Sequence, residues 1–189
     1  MESSCIGVVL AGGKSTRMGS NKALLLRNKQ PMLAFAKTQL KDCGLDKVVV
    51  SGDMEGAIPD VFRNGGPLAG VHAIASRYKP KALLILPVDM PLMTSKVLTQ
   101  LVTYGQKNAI ATYFNHVRLP CYVPITSSLI EYLERAFNDD KFIDSGRGPS
   151  LRTLLDVIGS QSITIKDEQP LINTNTPAQW QQSQALFSP

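Results

Sequence analysis

Along the chain, short unbroken apolar runs alternate with stretches in which apolar residues recur every three or four positions. "IGVVLA" (6–11), "KVVVS" (47–51), "ALLILP" (82–87) and "AIATY" (109–113) are continuous and short, the pattern of strands buried on both faces of a parallel sheet. The stretches between them predict helices. Residues 31–43 open with Pro31 at a first-turn position, carry Met32, Phe35, Leu40 and Cys43 on one face, and stop at Gly44. Residues 67–78 again open with a proline, Pro67. Thr94 and Ser95 can cap a helix over about 95–104, two more fit 127–138 and 149–158, and a last one starts at Pro177. Weaker strand patterns lie at 117–125, 161–166 and 171–173. Strand-helix alternation implies right-handed crossovers and an α/β sandwich, in which ligands bind beyond the carboxyl ends of the strands.

Composition adds limits to this picture. The chain has 189 residues, 43% hydrophobic and 19% charged, enough for one sizeable core and marginal for two, so a single domain over 1–189 is expected. Cys5, Cys43 and Cys121 form no C-x-x-C pair and predict neither a disulfide framework nor a zinc site; they read as reduced and mostly buried. No apolar run approaches the roughly 18–20 residues of a membrane span, and Glu2 stands where a signal peptide would be basic, so a cytoplasmic protein with no membrane partner is expected. The net charge of +5 is local. Between Ser3 and Lys41 lie Lys14, Arg17, Lys22, Arg27, Lys29, Lys37 and Lys41 with no acid, while the remainder is slightly negative. Basic residues gathered beside glycines suit a small polyanion. A nucleic acid would want them spread over a face with stacking aromatics, and aromatics are only 6% of the chain.

The glycine-rich turn follows the first strand, at the carboxyl edge. There the backbone of Leu10, Ala11, Gly12 and Gly13 can approach a ligand closely and cradle phosphate oxygens with its N–H groups. Loop lysines and arginines are by default solvated charges. On this turn Arg17 and Lys22 are read instead as anion contacts, with Lys14 open between ligand and solvent. The P-loop pattern fails because position 8 is Val8, and G-x-G-x-x-G fails because Gly12 and Gly13 are adjacent. What remains, L-A-G-G-x-S-x-R-M-G-x-x-K over 10–22, resembles the nucleotide signature of nucleotidyltransferases that activate sugars and cofactors. With "GGPLAGVHA" (65–73), "LPVDMPLM" (86–93) and "INTNTPAQW" (172–180) in this order, the chain resembles the molybdenum cofactor guanylyltransferases over nearly its whole length. One departure is Asn21, where that family usually has aspartate before the motif lysine.

The resemblance implies a single three-layer α/β/α sandwich of the nucleotide-diphospho-sugar transferase type, with a mostly parallel Rossmann-like sheet. It implies GTP and molybdopterin, or its molybdenum adduct, as substrates, Mg2+ as cofactor, and other cofactor assembly proteins and apo-molybdoenzymes as partners. Lys22 would then hold the α-phosphate region, Arg17 the departing phosphates and Asp89 the metal, with Asp60, Gly66 and Gly70 lining the nucleotide. For Asp89 the alternative is a helix cap or turn former; for the Gly65–Gly70 segment, a tight helix entry; for Asn175, a cap on the helix from Pro177. Arg118, Arg147 and Arg152 are acceptor-side candidates within about 114–175, because a pterin phosphate must be held, with surface charge as the alternative; Asn175 is grouped with them on the acceptor side, and the resemblance also makes it a candidate for the metal or phosphate side of the site. His72 reads as a helix residue and His116 as a loop residue. Two other functions stay open: a cytidylyltransferase for the same pterin or another phosphorylated acceptor, and a nucleotide-binding regulator without turnover.

Overall fold

The computed structural model describes residues 5–12, 21–60, 62, 65–139 and 148–187. In chain order the elements are β1 (Cys5–Leu10), a 3-10 turn (Lys22–Leu24), β2 (Leu26–Arg27), β3 (Gln30–Pro31), α1 (Met32–Lys41), β4 (Lys47–Ser51) and α2 (Pro67–Tyr78). There follow β5 (Ala82–Pro87), α3 (Ser95–Asn108), β6 (Ala111–Phe114), β7 (Val117–Pro124), α4 (Ser127–Phe137), α5 (Leu151–Ile158), β8 (Ser160–Ile163), a 3-10 turn (Gln169–Leu171) and α6 (Pro177–Gln184).

Six strands form one sheet in the order β4-β1-β5-β7-β6-β8, and β2 with β3 makes a separate small hairpin. The central strand β1 pairs in parallel with both β4 and β5. β7 runs antiparallel to β5 and to β6, while β6 and β8 are parallel. Only Asn115 and His116 separate β6 from β7, too few for a crossover, so the reversal is forced; Asn115 takes the positive φ that such a tight turn favours, at 47°. Alternate residues of the buried strands feed opposite faces. Cys5, Val9, Leu84 and Leu86 pack with α1 and α3, whereas Ile6, Val8, Leu83 and Ile85 pack with α2, α4 and α5. The result is the three-layer α/β/α sandwich expected from the alternation, a single domain around one mostly parallel sheet.

Several elements differ from the sequence expectation, among them β8, which ends at Ile163 and not at 166. α3 runs on through Gly105 to Asn108 and ends where Ala109 adopts the left-handed conformation, so β6 starts at Ala111 and not at 109. The 171–173 stretch is not a strand: Pro170 and Leu171 lie in the 3-10 turn, and Thr174 donates its N–H to the Asp89 carbonyl at 2.9 Å in place of a ladder bond. Ser150 caps α5, moving its start from 149 to 151.

Gly105 explains the length of α3. A Cβ there would fall on the Tyr122 ring of β7, so the helix meets the sheet at a spot only glycine fits. Glycine inside an exposed helix costs about 0.5–1 kcal/mol against alanine, which would make Gly105→Ala stabilising on propensity alone. Overpacking reverses the sign. Gly105→Ala is expected to destabilise by about 1–3 kcal/mol, read as a lower Tm in thermal denaturation. Cys5 and Cys121 are buried, Cys43 is half-buried, and no disulfide joins any two of them. Burial pushes the Cys5 and Cys121 thiols up to about 12, leaving them protonated and inert at neutral pH.

Candidate active site

β4, β1 and β5 are parallel neighbours, so their carboxyl ends, Ser51, Leu10 and Pro87, share one edge. Backbone bonds hold the chain there as it leaves β1. The Ala11 N–H donates to the Ser51 carbonyl at 2.9 Å, and the Val88 N–H donates to the Leu10 carbonyl at 3.0 Å. Gly12 is exposed and lies against Gly52, whose φ of +149° and approach to Gly12 both disfavour a side chain; a Cβ on Gly52 would be 3.0 Å from the Gly12 nitrogen. Leu10, Ala11 and Gly12 thus stand at the crevice where the sequence put them. Gly13, Lys14 and Arg17 lie outside the described residues.

The 3-10 turn brings Lys22 back to this edge. Asn21 caps the turn, its Oδ1 accepting the Ala23 N–H at 3.0 Å, which gives a neutral residue a local use where the related signature has an aspartate. The Lys22 Nζ then donates to Asp89 Oδ2 at 2.8 Å and to Asn175 Oδ1 at 2.7 Å. Three segments far apart in sequence meet in this one contact. Asp89 leaves the end of β5, and its carbonyl accepts from both the N–H and, at 3.3 Å, the hydroxyl of Thr174. Neither Asp89 nor Asn175 is a helix cap. Thr176 caps α6 in a reciprocal capping box with Gln179, whose Oε1 also accepts the Asn175 N–H at 2.8 Å, so the Asn175 side chain is left to point at Lys22. The lysine and aspartate side chains are 16% and 17% exposed, open enough for a ligand yet partly screened from water.

Asp60 and Gly70 form a second group at the end of β4. Ser51 donates its hydroxyl to Asp60 Oδ1 at 3.2 Å. Burial raises the Asp60 carboxyl above its ordinary value, the Ser51 bond opposes the rise, and nearby Asp53 adds to it. A Cβ on Gly70 would overlap the Ser51 hydroxyl and come within 3.2 Å of Asp60 Oδ1, so this turn of α2 lies directly against the pair. Gly66 precedes α2 with φ +64°, and Pro67 occupies the first turn.

The acceptor-side candidates are less gathered. Because β7 is antiparallel to β5, with Ile85 opposite Cys121, the start of β7 lies at the edge where Asp89 leaves β5. Arg118 stands there, its guanidinium 4.3 Å from the centre of the Tyr113 ring and its Nη1 donating to the His116 carbonyl at 3.2 Å. Its buried Nε has no hydrogen-bond partner among the described residues. Arg152 is exposed in the first turn of α5, and Arg147 lies outside the described residues. Among the described residues, neither Arg118 nor Arg152 bonds to the Lys22–Asp89–Asn175 group. Asn175, grouped with the arginines and also a metal- or phosphate-side candidate, contacts Lys22.

One positioning residue escaped the sequence reading. Arg27 lies over the Phe35 ring at 4.4 Å and the Phe187 ring at 5.0 Å, and its Nε donates to the Pro91 carbonyl at 2.6 Å. It ties β2, α1 and the C-terminal segment to the turn that follows Asp89. His72 lies in α2, edge-on to Phe62 and Phe137, with burial lowering its pKa; His116 lies in the β6–β7 turn.

A glycine turn after the central strand, a lysine and a carboxylate at the shared edge of three parallel strands, and a three-layer sandwich define the nucleotidyltransferase class of α/β protein. Residues 7–156 match the family described as the MobA-like NTP transferase domain, and this chain belongs to that family. A molybdenum cofactor guanylyltransferase of Xanthomonas euvesicatoria pv. vesicatoria (strain 85-10) is 34% identical over 179 residues, covering 92% of this chain and 91% of that protein. Another, from Yersinia pestis (strain Pestoides F), is 31% identical over 202 residues, covering 96% and 97%. Among solved structures, molybdopterin-guanine dinucleotide biosynthesis protein A from Archaeoglobus fulgidus matches with a TM-score of 0.74 at 19% identity, over 96% of this chain and 97% of that one. A 2-C-methyl-D-erythritol 4-phosphate cytidylyltransferase from Thermus thermophilus matches at 0.64 and 15% identity, over 99% of each. At such identities the structural likeness shows the shared fold alone.

Proposed function

We propose that this protein transfers GMP from GTP to molybdopterin or its molybdenum adduct, forming the guanine dinucleotide cofactor and releasing pyrophosphate in the cytoplasm. The observation that carries the reading is the meeting of Lys22 and Asp89 at the carboxyl edge of β1 and β5, in a chain 34% identical to a molybdenum cofactor guanylyltransferase across almost its full length.

In the proposed reaction the acceptor's terminal phosphate oxygen attacks the α-phosphorus of GTP, and the bond from that phosphorus to the bridging oxygen of pyrophosphate breaks. No protein nucleophile is needed. Catalysis then rests on positioning and on neutralising charge. Lys22 has three N–H donors, of which Asp89 and Asn175 use two among the described residues, leaving one for an α-phosphate oxygen. Arg17 takes the departing phosphates, the backbone of Leu10 to Gly13 approaches the nucleotide, and Asp60 with Gly66 and Gly70 lines it. Arg118, Arg147 and Arg152 hold the pterin phosphate. In this reading Asn175 orients Lys22.

Asp89 and Asn175 present a carboxylate and an amide oxygen, both hard donors. That set suits Mg2+, which takes one or two carboxylates and completes its shell with phosphate oxygens and water. Asp89 would hold it. When bound, Mg2+ supplies Lewis-acid neutralisation of charge on the transferring phosphate. Partners beyond the two substrates would be cofactor assembly proteins and apo-molybdoenzymes. No helix of the described residues is long and apolar enough to cross a membrane.

The test is to incubate the protein with Mg2+, molybdopterin and each of the four nucleotides, following pyrophosphate and the mass of the pterin product. GTP is expected to be the preferred substrate, with the GMP adduct as product, since a site that satisfies guanine's donors leaves carbonyls unpaired with another base. Preference for CTP would make the chain a cytidylyltransferase; release with no nucleotide would leave a binding protein without turnover.

A further inference from the structure

The lysine proposed to meet the phosphates is not an open positive charge. Its Nζ forms an ion pair with Asp89 at 2.8 Å and is also held by the Asn175 oxygen at 2.7 Å, with both charged side chains largely shielded. The trio of Lys22, Asp89 and Asn175 is neutral as a unit. Thr174 fixes the Asp89 main chain through two bonds to its carbonyl, and the capping box fixes the Asn175 main chain, so neither partner drifts away from Lys22 cheaply. A bare triphosphate arriving here meets a lysine already compensated and a carboxylate of its own sign. The repulsion is felt strongly because the groups are partly out of water. For a triphosphate carrying a divalent cation the balance would differ: Asp89 would hold the cation, and the Lys22 charge would be left uncompensated for the phosphate.

We infer that Asp89 is a specificity determinant that rejects nucleotide arriving without a divalent cation, by acting as the internal counter-ion of Lys22. The inference rests on the placement of the nucleotide phosphates at Lys22 proposed above. It gives a carboxylate-to-amide substitution opposite signs under two conditions. In calorimetry with excess EDTA, Asp89→Asn is expected to bind GTP, and inorganic tripolyphosphate as a probe without a base, about tenfold more tightly than wild type. In excess Mg2+ the order reverses. Asn175→Asp adds a second carboxylate beside Lys22 and is expected to weaken tripolyphosphate binding in EDTA by a similar factor.

Equal or weaker binding of both probes by folded Asp89→Asn in EDTA overturns the inference. If that variant does not fold, unchanged or tighter tripolyphosphate binding by Asn175→Asp overturns it. The two proposals can fail separately. Tripolyphosphate binding in the expected order without any GMP transfer to the pterin would sink the proposed reaction alone, and transfer with the opposite binding order would sink this inference alone.

Discussion

Asp89→Ala is expected to lower the rate of pyrophosphate release by about three orders of magnitude while leaving the fold in place. The side chain accepts from Lys22 at 2.8 Å and is the proposed metal ligand, and losing a metal's neutralising charge forfeits several kcal/mol of transition-state stabilisation; each 1.36 kcal/mol is tenfold in rate. The fold should survive because Thr174 is anchored on the Asp89 carbonyl, not on its carboxylate. Asp89→Asn separates the two jobs of the side chain. It keeps an oxygen for the Lys22 ammonium but loses the charge, so it should remain almost as inactive as the alanine variant. The measurement is single-turnover pyrophosphate release in saturating Mg2+ and GTP, beside circular dichroism of each variant. Near wild-type turnover by either folded variant would remove Asp89 from metal binding.

How much of this was legible in the sequence depended on whether the determining contacts were local. The β1 turn, Lys22 and Asp89 could be placed because glycine after a buried strand, and an aspartate after "ALLILP", each fix a position relative to one strand end. Once the strands are parallel neighbours, the ends coincide. The helix starts at Pro67, Ser95, Ser127 and Pro177 were legible for the same reason, since prolines and hydroxyl caps act within one turn. Asn175 was grouped with the acceptor side and also read as a metal- or phosphate-side candidate, and its contact with Lys22 was not legible because the two are 153 residues apart and the sequence carries no distance between them. The signal was present in part: in "NTNTP" the helix already has a good cap in Thr176, which leaves the preceding asparagine without a local task. The supposed strand at 171–173 failed for a related reason. The N–H groups of Leu171 and Ile172 donate to the Glu168 and Gln169 carbonyls and that of Thr174 to the Asp89 carbonyl, and apolar spacing does not reveal what a backbone N–H will meet. Arg27 was illegible altogether, since its setting is two rings and a carbonyl from three separate segments. Gly105 misled the α3 boundary because its reason is a ring on the neighbouring strand.

The second large effect is expected at the lysine. Lys22→Ala removes the donor proposed for the α-phosphate and at the same time strips Asp89 and Asn175 of the cation they share at 2.8 and 2.7 Å. A charge-assisted hydrogen bond is worth about 1.5–3 kcal/mol, and a preorganised donor aimed at charge developing in a transition state about 10²–10³ in rate. The expected loss is therefore about 10²–10³ in kcat/KM for GTP. It should appear more in kcat than in KM if Lys22 binds the transferring phosphate more tightly as it reacts, and mainly in KM if the contact is equal before and during transfer. Lys22→Arg is not expected to rescue the rate. The planar guanidinium cannot set three donors around one nitrogen as the ammonium does toward Asp89, Asn175 and a phosphate oxygen. Steady-state kinetics of both variants, with nucleotide affinity from calorimetry, provide the check. If Lys22→Ala kept wild-type kcat/KM and wild-type affinity for GTP, the turn before Leu24 would be only a solvated bend and the ion pair with Asp89 a structural contact.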